Sequence, residues 1–379
     1  MNSFDRRAWL RCLTLAIGGF GVSRPIGARP SPPTASGVSG DPLARLSLNE
    51  NPYGPAPVVN AALQHEFPNL CRYTGAAEYD ALVELIAARE KVSKDNVILG
   101  ETLEPLGTYL GQQGGQGGEF IHSDPGYMVL INAAVAVGGH AIGVPLDSDL
   151  QNDLPAITAK VNQRTRAVFL ANPNNPTGIV SDLKQLRNFV RETSRQALVI
   201  VDESYLDFAG DFAQLTLVDL VRADENVIVF RNMCEPFGLA GIILGYGLLP
   251  KPIAKALIAQ GLTNPHLFNR LDVAAATASL RDKSDYLAHM RQQVAEEREK
   301  WFQLFREVRK RYTASAANFV FFETGIPHAE FAAAMLEKGL EIGRMFPPYN
   351  NWARITIGLP QENSMARAAV RLLLRAAPS

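Results

Sequence analysis

Short apolar runs alternate with amphipathic helical stretches along much of the chain. The apolar runs cover 97–100, 140–145, 167–171, 197–201 and 226–230. Between 79 and 86, for example, apolar residues recur at the spacing of one helix face. Strands that alternate with helices in this way build a mostly parallel sheet with helices on both faces. We therefore predict an α/β fold whose ligands bind beyond the carboxyl ends of the strands.

The C-terminal part of the chain has a different pattern. A long charged helix is predicted over 284–311, and apolar strands follow at 318–322 and 353–358. Elements that are grouped rather than strictly alternating are typical of α+β units. We therefore expect a small α+β domain after the large one.

The first 42 residues have the pattern of an export signal followed by a linker. Arg6 and Arg7 form a twin-arginine pair, and an apolar stretch of eleven residues runs from Cys12 to Val22. Because a transmembrane helix needs about 20 apolar residues, this stretch fits a cleaved signal peptide and not a membrane anchor. We predict a twin-arginine signal peptide at 1–28, a linker at 29–42 and a periplasmic protein.

Composition and charge exclude some classes of partner. The 379 residues are 47% hydrophobic with a formal net charge of −1, so nothing favours binding to nucleic acid or to an anionic membrane. Beyond the signal peptide, Cys71 and Cys234 remain. Two cysteines are too few for a disulfide framework, so we expect two separate buried thiols. No metal site is predicted.

Five motifs lie near the ends of the predicted strands. They are Asp124-Pro-Gly-Tyr127, Asn172-Pro-Asn-Asn-Pro-Thr-Gly178, Val201-Asp-Glu-Ser-Tyr205, Gly238-Leu-Ala-Gly241 and Ala353-Arg-Ile-Thr-Ile-Gly358. Together they resemble the motifs of class I/II aminotransferases that depend on pyridoxal phosphate (PLP), and most closely those of histidinol-phosphate aminotransferases. The resemblance covers about residues 43–376. It implies the fold type I architecture, with a mostly parallel sheet of the seven-stranded type in the large domain.

The resemblance also implies domain boundaries and roles for single residues. An N-terminal arm would span 43–75, the large domain 76–265 and the small C-terminal domain 266–379. Asn175 and Tyr205 would hold the 3-oxygen of the cofactor, Asp202 would pair with the pyridinium nitrogen, and Tyr127 would stack on the ring. The residues implied in substrate binding are Asn51, Tyr53, Tyr73, Arg344 and Arg354. The resemblance also implies a homodimer, in which Tyr73 would act on the site of the neighbouring subunit. Cys71 would then lie near Cys234 of the neighbour, and a disulfide between them is left open as the alternative to two separate thiols.

The chemistry of the site departs from the family at several positions. Cys234, Glu235 and Ile243 replace the family's serine, Schiff-base lysine and arginine, and the last two replacements change the charge by −3. Glu101 and Glu104 follow the strand at whose end the family binds the cofactor phosphate, and carboxylates repel that anion. Because Glu235 has no amine, we predict no covalent cofactor and expect PLP binding to be disfavoured.

Three functions are left open by these residues. In the main expectation, Glu235, Asp202 and Tyr205 are catalytic. They would carry out acid–base chemistry on an amino acid or related amine, such as isomerisation or elimination, without a PLP–lysine link. In the second, the same residues bind an amino-acid-like small molecule without chemistry. In the third, the protein is a histidinol-phosphate-type transaminase, as its family resemblance implies.

Overall fold

The structure is a computed structural model that describes residues 43–113, 117–210 and 212–376. The predicted signal peptide and linker lie outside the described residues, so both stay predictions. The strands are β1 Ala44–Leu46, β2 Val97–Leu99, β3 Glu119–Asp124, β4 His140–Pro145, β5 Thr165–Ala171, β6 Leu198–Asp202, β7 Val227–Asn232, β8 Gly245–Leu248, β9 Phe319–Glu323, β10 Leu340–Ile342 and β11 Trp352–Thr356.

The α-helices of the same ranges connect these strands. They are α1 Pro57–Glu66, α2 Ala76–Glu90, α3 Leu103–Gln113, α4 Val129–Ala136, α5 Leu154–Lys160, α6 Leu183–Ser194, α7 Phe212–Leu215, α8 Val218–Arg222, α9 Lys251–Ala259, α10 Arg270–Arg281, α11 Tyr286–Glu307, α12 His328–Leu336 and α13 Pro360–Ala376. None of these helices is long and apolar enough to cross a membrane.

A seven-stranded sheet forms the centre of the fold, as the alternating pattern predicts. Its strand order is β2-β8-β7-β6-β5-β3-β4. The pairs among β3 to β7 are parallel, whereas β8 pairs antiparallel with both β7 and β2. The twelve residues between β7 and β8 contain no helix, and antiparallel strands need no helical crossover. The α/β prediction is confirmed.

Successive residues of the central strands supply two apolar cores on opposite faces of the sheet. Val168 and Leu170 of β5 belong to a core that includes buried residues of α2 and α6. Ala167 and Phe169 of the same strand belong to a core that includes residues of α3 and α4. Because side chains alternate along a strand, a strand buried on both faces reads as a continuous apolar run.

The C-terminal part of the chain forms two small sheets around its own apolar core. Strands β9 and β11 pair antiparallel, and β1 pairs parallel with β10. The core includes Trp301 and Phe305 of α11 and Phe322 of β9. The pairing of β1 with β10 ties the start of the predicted arm to this part of the fold. The domain boundaries at 75 and 265 stay predictions.

Two details differ from the expectations. The charged helix predicted over 284–311 spans Tyr286–Glu307, and it ends where Arg309 adopts a positive φ of 54°. Cys71 is exposed, not buried, because it follows a surface 3₁₀ turn, while Cys234 is partly buried. Both thiols are free in the described chain.

Candidate active site

A polar cavity lies at the carboxyl ends of β5, β6 and β7. It is lined by Glu101, Tyr127, Asn175, Asp202, Ser204, Tyr205, Phe230, Asn232 and Glu235. Asp202 and Asn232 are the last residues of β6 and β7, and Asn175 lies in the loop that follows β5. The parallel strands therefore bring motifs that are distant in sequence to one edge of the sheet, as expected for this class of fold.

Within the Asn172–Gly178 loop, only one asparagine faces the cavity. Asn172 Oδ1 accepts a hydrogen bond from Ser181 N at 2.8 Å, and Asn174 Nδ2 donates to Asn152 Oδ1 at 3.1 Å. These two side-chain hydrogen bonds help to fix the conformation of the loop. Asn175 is left to line the site.

Asp202 is a buried carboxylate with one oxygen free to bind a ligand. Its side chain is 6% exposed. Oδ1 accepts hydrogen bonds from the backbone and hydroxyl of Ser204, whereas Oδ2 has no partner among the described residues. Burial raises the pKa of Asp202 to about 6, although the bonds from Ser204 lower it.

Tyr205 connects the arm to the cavity. Its hydroxyl accepts a hydrogen bond from Asn49 Nδ2 at 2.9 Å and donates to Glu235 Oε1 at 3.5 Å. Burial and the charge of Glu235 raise the pKa of Tyr205 well above its usual value. The phenol therefore stays protonated and acts as a donor.

Glu235 is a carboxylate in an unusual setting. Its Oε2 atom is shielded from solvent and has no hydrogen-bond partner among the described residues. Burial raises the pKa of Glu235 to about 7; a hydrogen bond from Asn232 lowers it, and the charges of Asp202 and Glu101 raise it further. Partial removal from water, together with Asp202, also raises the pKa of Glu101. The cavity thus holds three carboxylates that disfavour one another's charge.

Arg354 is buried beside the cavity and already engaged. Its NH1 donates to Asn175 Oδ1 and its NH2 to the carbonyl of Ser47, both at 2.8 Å, while Nε has no partner. The guanidinium lies near the Phe346 ring at 5.0 Å, and burial lowers the pKa of Arg354 to about 10. Two of its five N–H donors are used by protein oxygens, and its predicted role in binding a substrate carboxylate stays a prediction.

The other residues predicted to bind substrate do not line this cavity. Arg344 and Arg354 line an adjoining cavity, which shares Tyr127, Asn175, Tyr205 and Glu235 with the first one. Asn51 is held by Pro236 O and lines a separate depression, and the hydroxyl of Tyr53 is buried without a partner. Tyr73 is 80% exposed and contacts the ring of His266, so within one chain it lies at the surface.

Sequence reasoning missed several residues of the site. The sequence did not single out Ser47, Asn49, Ser204 and Asn232, although the first two lie in the predicted arm, 43–75. One signal was available for Asn49, since asparagine tolerates the positive φ of 61° that it adopts. Glu101 was expected only to repel phosphate, and the structure places it in the cavity itself.

This cavity has no cationic group that could replace those that bind the cofactor phosphate in the family. None of the described residues that line it is a lysine or an arginine. Ile243 is 63% exposed, and Lys251 and Lys255 are exposed on α9. Within the described ranges, no group of histidine, cysteine, aspartate and glutamate side chains is arranged to hold a metal ion.

Comparisons with known proteins agree on the family. A family model for aminotransferase class I and II matches residues 41–372. The chain is 33% identical to a histidinol-phosphate aminotransferase of Limosilactobacillus fermentum, over 86% of this chain and 90% of the relative. It is 32% identical to a histidinol-phosphate aminotransferase of Moorella thermoacetica, over 88% and 86% respectively.

Comparisons with solved structures identify the same family of folds. The histidinol-phosphate aminotransferase of Sinorhizobium meliloti in complex with pyridoxal 5′-phosphate is similar with a TM-score of 0.77 and 27% identity, over 89% of this chain and 92% of that one. A putative histidinol-phosphate aminotransferase of Erwinia carotovora has a TM-score of 0.79 at 23% identity, over 88% and 96%. The fold type I prediction is confirmed.

One expectation is wrong. The main expectation from the sequence was acid–base chemistry independent of PLP, with isomerisation or elimination as examples. The relatives are named as histidinol-phosphate aminotransferases, and one similar structure holds PLP. These findings favour the transaminase alternative. By the family match over most of its length and by its identity to these relatives, the chain belongs to the class I and II aminotransferases.

Proposed function

We propose that this protein is a transaminase of the histidinol-phosphate type that holds PLP without a covalent link to the chain. The observation that carries the proposal is the retained set of ring-binding groups, in which Tyr127, Asn175, Asp202 and Tyr205 line one cavity. Relatives that match over most of the chain carry the name of this activity, which supports the substrate class.

The ring-binding end of the cavity fits the cofactor. Asp202 Oδ2 and Asn175 Nδ2 make no hydrogen bond with the described residues, although both side chains line the cavity. A ring that carries a protonated nitrogen and an oxygen substituent would supply the missing donor and acceptor. Bound PLP supplies an electron sink for the electrons released when a proton leaves the carbon that bears the amine.

Three residues of the chain would hold or transfer the protons that the reaction needs. Asp202, with a pKa of about 6, is ionised at neutral pH and would keep the proton on the ring nitrogen. Tyr205 would turn its one phenolic hydrogen from Glu235 Oε1 to the ring oxygen. Glu235, with a pKa of about 7, would accept and return a proton at the position where the family has its lysine.

The residues expected to face the phosphate of PLP support weak, non-covalent binding of the cofactor. Glu101 lies in the cavity, and no cation lines it among the described residues. An anion that faces carboxylates without a cationic partner loses affinity by orders of magnitude. We therefore propose that PLP is held mainly through its ring.

A second candidate function is a binding protein without catalysis. Glu235 favours it, because a carboxylate at the lysine position removes the amine on which the family's covalent chemistry depends. Such a protein would bind an amino-acid-like molecule through the same cavity and through Arg354.

Amino transfer in the purified protein tests the proposal. With excess PLP, histidinol phosphate and a 2-oxo acid, we expect slow formation of the corresponding amino acid, and Asp202→Asn should slow it by about 100-fold. After borohydride treatment, peptide mapping should find the cofactor on no lysine. A labelled lysine would contradict non-covalent binding, and ligand binding without transfer would favour the second candidate.

We also propose that the protein works as a periplasmic homodimer. The twin-arginine pattern at 1–28 supports export. The exposure of Tyr73 supports a dimer, since this ring reaches a site only if a second subunit covers it. The sedimentation experiment described in the Discussion tests the dimer, and fractionation of cells tests the location.

A further inference from the structure

The cavity has two buried acceptors that lack a donor. Glu235 Oε2 and Asn232 Oδ1 are both shielded from solvent and have no hydrogen-bond partner among the described residues, and both side chains line the same cavity. Buried polar atoms are almost always paired in native proteins, so two unpaired acceptors at one cavity favour a ligand with several donors. An ammonium group has three donors and no acceptor.

The charges of the residues that line the cavity also favour a ligand with a positively charged group. Glu101, Asp202 and Glu235 line it together with neutral side chains and no cation. An uncharged group beside these carboxylates compensates none of their charge, whereas an ammonium there adds a positive charge. Arg354, which also interacts with Glu235, lines only the adjoining cavity. A metal ion is a poor alternative, because no suitable cluster of ligands exists among the described residues.

The position of Glu235 relative to Tyr205 defines which part of the cofactor it would meet. Their oxygens are 3.5 Å apart. On the cofactor ring, the 3-oxygen lies between the methyl group at carbon 2 and the substituent at carbon 4. Glu235 stands at the position of the family's Schiff-base lysine, which bonds the carbon-4 group, so it would meet the substituent at carbon 4. In pyridoxamine 5′-phosphate this substituent is an aminomethyl group that carries a positive charge.

We infer that the site binds the amine form of the cofactor in preference to forms that are neutral at this position, with Glu235 receiving the ammonium. The inference rests on the proposed function, since it assumes that the cofactor ring occupies this cavity. Where the family has a lysine that bonds covalently to the aldehyde form, this chain would have Glu235, which recognises the amine form. A charge-assisted hydrogen bond of this kind corresponds to about 10- to 100-fold in affinity.

The test compares two ligands that differ only at carbon 4. Pyridoxamine 5′-phosphate carries an ammonium there, whereas pyridoxine 5′-phosphate carries a neutral hydroxyl and cannot link to lysines. Calorimetric titration of the full chain at pH 8 should give a dissociation constant about 10- to 100-fold lower for the amine. In Glu235→Gln the ratio should fall to near one. The matched control Glu104→Gln removes an exposed carboxylate outside the cavity and should keep the ratio.

A pH series on the unaltered protein gives a second measurement. The ionisable groups whose charges interact with Glu235 are Glu101, Tyr127, Asp202, Tyr205, Cys234 and Arg354. Because Asp202 has a pKa of about 6 and Glu235 of about 7, the preference for the amine should grow between pH 6.5 and 8.5 as Glu235 ionises. Both ligands share the ring and the phosphate, so titration of those parts cancels in the ratio.

The outcomes separate this inference from the proposed function. Equal binding of the two ligands, or a ratio that Glu235→Gln leaves unchanged, overturns the inference even if amino transfer occurs. A strong preference without amino transfer supports the inference and overturns the transaminase. Failure of both ligands to bind overturns both.

Discussion

At the scale of single residues, Glu235 imposes a pH-dependent penalty on folding. Its pKa is about 7 in the folded protein and 4.5 in its ordinary state. The unfolded chain therefore loses this proton first as the pH rises, so stability falls between these two values and stays reduced above pH 7. A carboxylate with a raised pKa is tolerated where function needs it.

We predict that Glu235→Gln raises the free energy of unfolding at pH 8 by about 2–3 kcal/mol and changes it by less than about 1 kcal/mol at pH 5. The amide keeps the shape of the side chain and carries no charge. Urea unfolding at both pH values measures the difference, with Glu104→Gln as the control that should show little change. A variant that is less stable than the original protein at pH 8 would contradict the assigned pKa shift.

The sequence identified several residues that line the cavity but missed their partners. Asn175, Asp202 and Tyr205 were singled out because their motifs resemble those of the family, and they meet because parallel strands end at one edge of a sheet. The bond from Asn49 to Tyr205 and the bond from Arg354 to Asn175 join positions that are 156 and 179 residues apart. Such contacts depend on how distant segments pack, and no local pattern encodes them.

At the scale of elements, the segment between β7 and β8 shapes the site through one glycine. Gly238 has a positive φ of 65°, and a Cβ at this position would overlap the backbone of Gly54 in the arm. The close approach lets Asn51 Nδ2 reach the carbonyl of Pro236 at 3.4 Å. Gly241 of the same motif has nothing within 4 Å of a built Cβ.

We predict that Gly238→Ala destabilises the protein by about 2–4 kcal/mol, because the change adds both backbone strain and a clash with the arm. Gly241→Ala is the matched control and should change stability by no more than about 0.5 kcal/mol. Thermal unfolding of the two variants side by side measures this. Equal effects of the two changes would show that the arm does not pack against this turn.

The elements were predictable where the sequence is apolar. Strands β5, β6 and β7 were found because each is a short apolar run buried on both faces of the sheet. Strand β3 was missed although it is buried, because four of its six residues are polar or charged, and β8 was missed because two of its four residues are glycine. Strand β1 was missed, since its three residues have an alternating burial pattern and become a strand only by pairing with β10. Tertiary contact overrides local propensity in such short segments.

At the scale of the whole molecule, an exposed apolar segment predicts the dimer interface. Phe67, Leu70 and Tyr73 are 55%, 56% and 80% exposed, and Leu267 beside the Tyr73–His266 contact is 76% exposed. Apolar patches of this kind mark surfaces that another protein covers.

We predict a dimer that Leu70→Asp converts to a monomer, because a carboxylate buried in an apolar interface has no partner. Leu336→Asp is the control, since Leu336 is 55% exposed on α12 in another part of the chain. Sedimentation velocity at micromolar concentration measures both variants. An unaltered protein that sediments as a monomer, or a control that dissociates equally, would contradict this assignment of the interface.

The pairing of β1 with β10 has a consequence for the order in which the molecule is made. The backbone of Asn49, just after β1, bonds to Thr356, 307 positions further along the chain, and to Asn318, 269 positions further along. Chains emerge from the ribosome N-terminus first, so the arm is released early and must wait for nearly all of synthesis before its partners exist. Until then Asn49 cannot hold the hydroxyl of Tyr205. The adjoining cavity, which Asn49, Arg344 and Arg354 line, is therefore complete only when translation is almost finished, and a chain truncated before Arg344 lacks part of it.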